Sequence, residues 1–586
     1  LQRAEQRERS GDPAGEIDEL ARALSLRDDL QPVHARLGIL LQDIGDLHGA
    51  VVHLETATRL KPGDARAWSN LAAALNALGR PGEAERAARQ ALQLDEGHAW
   101  AAFHLGRSLE SLGRGGKARE AFEQAVRNSP ANALAWEALG DSWLEEGRLL
   151  RARDALLRST QADPVRASAW SRLAATYLHL GELPLALGAM GRAEALAPAD
   201  AAQLGSSRLL SLHYDSAISR GEIFREHVAW ARRYAPPQQP VVFGEATDGD
   251  RKLRIGYVSP RFHGSALASL LEPVLSSHDP AAVEIICYST FARDDDVSSR
   301  IRAKVHGWVD ASSLDDVALA QRMRDDAIDV AVDLAGHAPG NRLLAFARRP
   351  APVTATWLDY FDTTGLEAID YLITDPWHSP PDDGQQFTEE LLRLPRVRFA
   401  YAPPPDAPDV REPPLARGGA GPVFASFNRS AKISNATLET WRVTLERIPD
   451  SRLLVKNSSL GHGDERADLA RRFRGRGIDP ARVEFRGFSA HRDMLENYND
   501  VDIVLDTFPY NGGITTLEAL WMGKPVVTLR GDTLISRQTA AILQTAGLDE
   551  WAARDSEDFA RIVASLAADP AKLAAIGRGM RERLRS

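Results

Sequence analysis

Residues 502–528 read D-I-V-L-D-T-F-P-Y-N-G-G-I-T-T-L-E-A-L-W-M-G-K-P-V-V-T, and this order of residue types indicates the fold of the region. The apolar run Ile503–Leu505 predicts a buried strand, followed by a Pro-Tyr-Asn-Gly-Gly turn, a helix and a second apolar strand near Val526. In a parallel sheet such a unit directs the first N–H groups of the helix beyond the strand ends, where an anion can bind. Glu518 and Thr515, in the first turn, are candidates to contact sugar hydroxyls or phosphate oxygens. The alternative is a plain connecting loop in an α/β core.

The composition is that of an ordinary globular protein and argues against several classes of function. The 586 residues are 44% hydrophobic and 26% charged, and this length predicts about two to four domains. The net charge of −10 argues against a nucleic-acid partner, because phosphate neutralisation needs a basic surface. No apolar run approaches the roughly 18 residues of a membrane span, so no membrane partner is expected. The single cysteine, Cys287, predicts a buried thiol and fits a cytoplasmic location, and the chain begins at Leu1 rather than Met, which fits a missing N-terminal piece.

The first part of the chain repeats itself with a period of 34 residues. The repeated positions hold glycine, small residues in two ladders, tryptophan and proline. They are Gly45, Gly79, Gly113, Gly147 and Gly181; Ala50, Ala84, Ala118, Ala152 and Ala186; Ala57, Ala91, Ala125, Ser159 and Ala193; Trp68, Trp136 and Trp170; and Pro62, Pro130, Pro164 and Pro198. Each unit predicts two helices joined at the glycine, with small residues where the helices cross closely.

This pattern resembles the tetratricopeptide repeat, with five full repeats in residues 31–200 and a partial repeat in residues 1–30. The resemblance implies an all-α superhelix that binds protein or peptide partners along its groove. The alternative is a repeat array that serves only as a spacer.

The remaining chain predicts two α/β halves. Helix-forming residues dominate the linker at 201–250, and five apolar runs alternate with helical segments in 251–404. Such alternation is typical of a parallel sheet covered by helices. A Pro-rich linker at 405–422 leads to a second set of alternating strands and helices in 423–586. The predicted fold is therefore an all-α repeat region followed by two Rossmann-like α/β halves that face each other across a cleft, the GT-B arrangement.

Loops that follow the predicted strands carry the candidate chemistry. The first strand lacks a following G-x-G-x-x-G, which disfavours a dinucleotide site, and its loop holds Arg261, His263 and Ser265. His337 lies in a polar loop between two glycines, where it is either functional or simply exposed. Lys432 lies at a strand-to-helix junction, where a cation would neutralise the charge on a departing diphosphate; the alternative is an exposed surface lysine.

Several motifs resemble the catalytic region of O-GlcNAc transferases and their bacterial and plant SPINDLY relatives. They are F-N-R-S-A-K-I-S at 427–434, the stretch at 502–528, G-D-T-L-I-S-R at 531–537 and R-R-P-A-P-V-T-A-T-W-L at 348–358. The similarity extends from about Leu209 to the C terminus and, with the repeats, covers nearly the whole chain. It implies an inverting glycosyltransferase that uses a nucleotide-sugar donor.

The resemblance also implies which residues bind the donor. In that family, the residue matching Lys432 contacts the diphosphate and the one matching Arg429 lies near it, while the segment matching Ser489, Ala490 and His491 holds the uridine. Residues matching Gly513, Ile514 and Thr515 line the pyrophosphate, the one matching Glu518 accepts ribose hydroxyls, and the loop matching Leu358 and Asp359 borders the sugar. The catalytic candidates are Lys432, His263, Ser265 and His337.

The sequence departs from the family's pattern mainly on the sugar side. Ser265 stands where the family has a histidine, and a serine cannot act unaided as a base at neutral pH. Asp359 and Asp362 replace glycines and add two carboxylates near the expected position of the sugar, while Met494 and Gly513 replace histidines. The sixth residue of each repeat, typically asparagine in the family, varies as well: it is Arg36, Asn70, His104, Ala138 and Arg172.

These observations predict transfer of N-acetylglucosamine from UDP-GlcNAc to Ser or Thr hydroxyls of proteins selected by the repeats. UDP is the expected product, and neither a metal nor another cofactor is expected, since a lysine and a helix N-terminus can supply the positive charge. Two alternatives stay open: a repeat scaffold whose GT-B half is catalytically weak or inactive, and a transferase that uses another donor such as GDP-fucose.

Overall fold

A computed structural model describes residues 1–236, 241–243 and 251–585. The chain divides into two compact units, Leu1–Thr176 and Tyr177–Ser586. The last part of the predicted linker, from 237 to 250, lies mostly outside the described residues.

The regular structure of the first unit is helical. Its helices follow one another in pairs that match the 34-residue period. They are α1 (Gln2–Arg9), α2 (Pro13–Leu26), α3 (Gln31–Asp43), α4 (Leu47–Leu60), α5 (Ala65–Ala77), α6 (Pro81–Leu94), α7 (Ala99–Ser111), α8 (Gly115–Asn128), α9 (Ala133–Glu145), α10 (Leu149–Ala162) and α11 (Ala167–Leu180). The division between the two units falls inside α11, so the fifth predicted repeat contributes to both.

The repeated residue types have physical causes. The turn glycines Gly45, Gly79, Gly113 and Gly147 have φ angles of 87°, 77°, 72° and 72°, a left-handed conformation that a side chain disfavours. The alanines of both ladders are buried where paired helices cross. Ser159 interrupts one ladder without cost because its hydroxyl donates to the carbonyl of Ala133, at 2.8 Å.

The repeated tryptophans and prolines form a single device. The indole Nε1 of each tryptophan donates to the carbonyl oxygen of the proline six residues before it. The pairs are Trp68 with Pro62 at 2.8 Å, Trp136 with Pro130 at 2.8 Å and Trp170 with Pro164 at 3.0 Å. These bonds join the start of a repeat to the loop that precedes it, which explains why both residue types recur with the same period.

The second unit begins with helices that belong to its core. They are α12 (Leu183–Leu196), α13 (Ala201–Leu212) and α14 (Arg220–Tyr234). Leu209, Ile223 and Trp230 share one hydrophobic core with Val258 and Phe346 of the first α/β half. The helices predicted as a linker are therefore packed onto the sheet domain that follows.

The first α/β half contains a seven-stranded parallel sheet in the order β3-β2-β1-β4-β5-β6-β7. Two of the strands, β3 (G-W-V-D) and β7 (E-L-L-R), were absent from the five predicted apolar runs because only two of the four residues in each are apolar. The elements are β1 (Leu253–Ser259), α15 (Ala266–Ser277), β2 (Val283–Ser289), α16 (Asp296–Arg302), β3 (Gly307–Asp310), α17 (Asp316–Asp325), β4 (Val330–Asp333), α18 (Leu343–Phe346), β5 (Val353–Thr356), β6 (Tyr371–Thr374) and β7 (Glu390–Arg393). Cys287, on β2, is buried as predicted.

The second half contains a six-stranded parallel sheet in the order β10-β9-β8-β11-β12-β13. Its elements are β8 (Val423–Ser426), α19 (Asn435–Arg447), β9 (Arg452–Lys456), α20 (Gly463–Arg474), β10 (Val483–Arg486), α21 (His491–Glu496), β11 (Ile503–Leu505), α22 (Ile514–Trp521), β12 (Val526–Leu529), α23 (Leu534–Thr545), β13 (Ala552–Ala553), α24 (Ser556–Ala567) and α25 (Pro570–Arg585).

The strand order locates a crevice in each half. β1 lies between β2 and β4, and β8 lies between β9 and β11, so the chain leaves each first strand toward one side and returns on the other. Loops diverge at such a switch point, and ligands of open α/β sheets bind there, at the carboxyl ends of the strands. In the second half the two diverging loops are residues 427–434 and 506–513.

Candidate active site

The loop between β11 and α22 is held in one conformation by side chains from its own half. Asp506 is buried and accepts hydrogen bonds from the Gly512 N–H and the Thr528 hydroxyl, both at 2.8 Å. The Thr437 hydroxyl accepts from the Phe508 N–H and donates to the Phe508 carbonyl, both at 2.9 Å. The turn therefore presents the start of α22 as a preformed element.

The first turn of α22 has no side-chain cap. Gly513 is the N-cap residue, and the helical bonds begin with the N–H groups of Thr516 and Leu517, which donate to the Gly513 carbonyl at 3.0 and 3.1 Å. The N–H groups of Ile514 and Thr515 precede these bonds and have no acceptor within the helix, which makes this end favourable for an anion. A Cβ at Gly513 would lie 2.6 Å from Nε2 of Gln538. The amide end of Gln538 thus occupies the space beside Gly513, and this flexible side chain would have to move to admit a larger residue there.

Lys432 lies against this same loop. Its Nζ donates to the carbonyl of Asn511 at 2.8 Å and lies 4.2 Å from the centroid of the Tyr510 ring. Burial, with a smaller contribution from the nearby Arg429, lowers the pKa of Lys432 to about 7. Two parts of the predicted diphosphate site, the lysine and the helix start, are thus adjacent.

Arg429 and two tyrosines complete this side of the crevice. Arg429 is exposed, and the neighbouring Tyr214, Tyr510 and Asp359 raise its pKa. The rings of Tyr214 and Tyr510 stack with centroids 4.7 Å apart. Tyr510 belongs to the motif at 502–528. Tyr214 lies between α13 and α14, where no sequence pattern predicts a site residue.

The segment predicted to hold uridine reaches α22. Nε2 of His491 lies 2.6 Å from Oε1 of Glu518, and this hydrogen bond raises the pKa of His491. The Glu518 side chain is 5% exposed and that of His491 is 55% exposed. The hydroxyl of Ser489 is buried and has no hydrogen-bond partner among the described residues, while Ala490 is exposed. A ribose hydroxyl placed beside Glu518 would donate a hydrogen bond to the same carboxylate that His491 contacts.

Leu358 and Asp359 lie in the loop after β5. Leu358 is buried and has a φ of 81°, a strained conformation for a branched side chain. Oδ2 of Asp359 lies 2.9 Å from Nη1 of Arg261 in the loop after β1. Burial raises the pKa of Asp359, and the charges of Arg261 and Arg429 oppose this rise. Asp359 therefore faces cations from both halves.

Asp362 does not share this position. It is 4% exposed, accepts from the Thr363 N–H at 2.8 Å and lies 3.8 Å from Nε2 of the buried His213. Burial raises its pKa to about 7. The expectation that both new carboxylates approach the sugar therefore needs correction, because Asp362 points into a buried polar cluster.

The three other expected catalytic residues do not meet at the crevice. His337 is 0% exposed, and its Nδ1 and Nε2 are engaged by the Ser206 hydroxyl at 2.8 Å and the Thr364 carbonyl at 2.9 Å. Ser265 caps α15, since its hydroxyl accepts from the Ala268 N–H at 3.3 Å and donates to the Arg261 carbonyl at 2.9 Å. Both residues thus have structural roles that their loop positions in the sequence did not reveal.

His263 occupies an intermediate position. It is half-buried, its ring centroid lies 5.9 Å from that of Phe291, and its Nδ1 lies 3.4 Å from the Gly264 carbonyl. Within the described residues it shows no hydrogen bond to the second half. Met494, which replaces a histidine of the family, packs against the core of its half.

A cavity of about 1540 Å³ in the second unit borders another side of α22, where Leu517 contributes to its lining. Trp377, Tyr401, Trp521 and Arg581 line it, and Lys432 and Thr515 do not. Chemistry rather than cavity size therefore identifies the candidate active site.

Two absences hold for the ranges 1–236, 241–243 and 251–585. None of the helices there is both long and apolar enough to cross a membrane. The same residues contain no group of three or more His, Cys, Asp and Glu side chains arranged to hold a metal ion.

Known proteins match both regions of the chain. Glycosyl transferase family 41 matches residues 235–401 and 419–586, and the tetratricopeptide repeat matches residues 36–99 and 103–164. The chain is 34% identical over 389 residues to the probable UDP-N-acetylglucosamine--peptide N-acetylglucosaminyltransferase SPINDLY of Petunia hybrida, a match that covers 65% of this chain and 42% of the relative. It is 29% identical over 343 residues to the probable transferase SEC of Arabidopsis thaliana, covering 57% of this chain and 35% of that protein. The chain thus spans about two fifths of the length of the curated relatives.

A solved structure agrees with the fold. A mutant of the O-GlcNAc transferase of Thermobaculum terrenum is 35% identical, with a TM-score of 0.76, and the match covers 83% of this chain and 93% of that one. The predicted tetratricopeptide repeats and the two α/β halves behind them are confirmed. With more than half of its residues matched, the chain belongs to glycosyl transferase family 41.

Proposed function

We propose that the chain transfers N-acetylglucosamine from UDP-GlcNAc to Ser or Thr hydroxyls of proteins. The observation that carries this proposal is the contact of Lys432 with the loop that begins α22, 2.8 Å from Nζ to the Asn511 carbonyl. A cation and a free helix N-terminus at one switch point favour a ligand with two adjacent phosphates. The names of the relatives, each a UDP-N-acetylglucosamine--peptide transferase, support the same donor.

The chemistry follows from this charge arrangement. The acceptor oxygen attacks the anomeric carbon while the bond to the β-phosphate breaks, and its electron pair leaves with UDP. Lys432 and the N–H groups of Ile514 and Thr515 stabilise the charge that grows on the diphosphate. Glu518 and the segment from Ser489 to His491 hold the nucleoside, and positioning of both substrates lowers much of the remaining barrier.

Lys432 also responds to the donor. With a pKa of about 7 it is only partly protonated before the donor binds. A bound diphosphate favours the charged form, so donor binding and protonation of Lys432 are coupled. The lysine is then fully charged when the leaving group departs.

The repeats are proposed to hold protein acceptors along their groove. Trp100 lies two residues before the position of the tryptophan ladder, where the chain has Ala102, so it does not occupy the position from which the other tryptophans bond to the preceding proline. It is 46% exposed and stacks on His104, 5.9 Å between centroids, whose pKa burial lowers to about 4. An exposed aromatic beside a neutral histidine favours an apolar side chain of a partner.

A mass-spectrometric transfer assay with a panel of nucleotide sugars tests the activity. UDP-GlcNAc should yield a modified acceptor, whereas preferential transfer from GDP-fucose would overturn the donor assignment. Absence of transfer from every donor would favour a non-catalytic scaffold.

A cytoplasmic location remains a prediction from the single cysteine.

The role of the repeats is tested with Trp100→Ala. We expect kcat/KM for a full-length protein acceptor to fall several-fold, because an anchoring contact outside the catalytic halves is removed. Transfer to a short peptide acceptor should not change. Val52→Ala removes another exposed apolar side chain, 60% exposed on α4, and serves as the matched control. Equal losses in both variants would contradict a specific role for Trp100.

A further inference from the structure

The candidate active site needs a group that takes the proton from the acceptor hydroxyl. Ser265 caps a helix, both ring nitrogens of His337 are hydrogen-bonded within a buried cluster, and His263 makes its described contacts with Gly264 and Phe291. Asp362 is buried against His213. Two of the catalytic candidates, Ser265 and His337, thus have their side-chain polar atoms engaged in hydrogen bonds within the protein, and another group can serve as the base.

Asp359 has the geometry of such a group. Its Oδ2 is paired with Arg261 at 2.9 Å but accepts no hydrogen bond from the described residues. The charge of Arg261 compensates the buried Oδ2 without occupying all of its lone pairs. The side chain as a whole is 17% exposed, so a ligand in the crevice can contact its exposed part.

The backbone keeps Asp359 in place. The Trp357 N–H donates to the Asp333 carbonyl at 2.8 Å, and the Asp359 N–H donates to the Leu334 carbonyl at 3.3 Å. Between them Leu358 adopts its φ of 81° while buried. Strained backbone of this kind, held by its surroundings, is typical of residues that present a functional side chain.

Asp359 and Lys432 share their neighbours. Arg429 and Tyr510 both interact electrostatically with Asp359, and the ring of Tyr510 lies 4.2 Å from Nζ of Lys432. Asp359 comes from the first half and Lys432 from the second, so the two reach these shared residues from different halves. An inverting displacement needs two such groups, because the acceptor and the leaving group lie on opposite sides of the anomeric carbon.

We propose that Asp359 is the catalytic base of this transferase, an inference that rests on the proposed function. Its carboxylate takes the proton as the acceptor O–H bond breaks and the bond from that oxygen to the anomeric carbon forms. The bond to the β-phosphate breaks at the same time, and its electron pair leaves with UDP beside Lys432. The step needs no further reactant. Arg261 holds the carboxylate, and its charge favours the ionised form against the effect of burial.

Charged groups around Asp359, together with its burial, determine its pKa. The groups that act on Asp359 are Arg261 after β1, Asp333 at the end of β4, Arg429 after β8 and Tyr510 before α22. Burial raises its pKa, and the two arginines limit the rise. Activity that needs the carboxylate should therefore increase with pH through the pKa of Asp359 and then level off.

Asp359→Asn tests the proposal, because it preserves the shape but removes the proton acceptor. We expect kcat to fall about 100- to 10,000-fold, the usual contribution of a general base, with the Kd for UDP unchanged by calorimetry. The acidic limb of the pH profile should disappear. Asp362→Asn is the matched control, a buried carboxylate three residues away in the same loop, and should retain that limb.

A second variant separates catalysis from structure. Asp359→Gly opens space at the carboxylate, and added formate should restore part of its transfer rate by acting as a replacement base. A rate for Asp359→Asn within twofold of wild type, or the same acidic limb, overturns the inference while leaving the transferase function standing. If the wild-type protein transfers no sugar from any donor, the proposed function fails, and the inference fails with it.

Discussion

The two walls of the crevice are built differently. We call the side proposed to bind the donor the donor wall; it consists of residues 427–434, 489–491 and 506–518. It presents backbone N–H groups, Lys432 and the His491–Glu518 pair, and its loop before α22 is held by Asp506 and Thr437. The wall proposed to face the sugar (the sugar wall), residues 357–365, has most of its polar side chains buried. Tyr360 and Asp362 contact histidines of the helices before β1, Thr363 and Thr364 bind Glu389, and Asp359 is paired with Arg261. A phosphate site can be built from local backbone, whereas a wall that contacts sugar and acceptor depends on packing from distant segments.

The strongest test of this contrast is Lys432→Ala, which removes the cation of the donor wall. We expect the transfer rate to fall about 100-fold or more, equivalent to roughly 3 kcal/mol, because charge on the leaving diphosphate loses its main partner. Steady-state kinetics with UDP-GlcNAc measures this loss. Lys572→Ala, an exposed lysine on α25, should match wild type. A normal rate for Lys432→Ala would show that the diphosphate lies elsewhere.

A smaller effect is expected on the nucleoside side of the donor wall. Glu518→Gln removes the charge that binds His491 and that is proposed to accept ribose hydroxyls, so the Kd for UDP should rise about tenfold. The maximal rate should change less, because the ribose does not react. Calorimetric titration with UDP measures the change, and Glu496→Gln, whose carboxylate pairs with Arg411 at 2.6 Å, is the control. Unchanged UDP affinity would remove Glu518 from the proposed site.

The smallest expected effect is the pH dependence of UDP binding. Because the pKa of Lys432 is about 7 in the free protein and a bound diphosphate raises it, binding takes up a proton, and affinity should fall as pH rises from 7 to 8. Over this unit the fall is about fivefold, below the limit of tenfold per pH unit. Titrations of wild type and of Lys432→Ala over this range test it, and the variant should show a flatter profile. Equal slopes would assign the proton to another group.

Local sequence was sufficient for the donor wall because its parts are adjacent in sequence or follow neighbouring strands. The apolar run, the glycine turn and the helix at 502–528 appear in the structure as β11, a braced loop and α22. Lys432 reaches them because β8 and β11 are neighbours in a parallel sheet. The sequence did not predict Tyr214 as a site residue, because it follows α13 and is close to Tyr510 only in the folded protein.

The sugar wall shows where such reasoning ends. His337 lies between glycines in a polar loop, a setting that suggests exposure, yet Trp230 packs edge-on against it with centroids 4.6 Å apart and Ser206 binds its ring. Asp359 and Asp362 are three residues apart in one loop, and the pattern gives no reason to distinguish them. One is paired with Arg261 and the other is buried beside His213.

By itself the sequence determined the 34-residue helical repeat, the two parallel sheets and the glycine turn that begins α22, because each depends on local periodicity or on turn residues that act within a few positions. Tertiary structure alone decided which titratable side chains face the crevice. Burial and charge pairing are set by residues far away in the chain, such as Ser206 for His337 and Arg261 for Asp359. The feature on which the proposed chemistry depends most, the Asp359 carboxylate paired with Arg261, therefore became visible only in the folded protein.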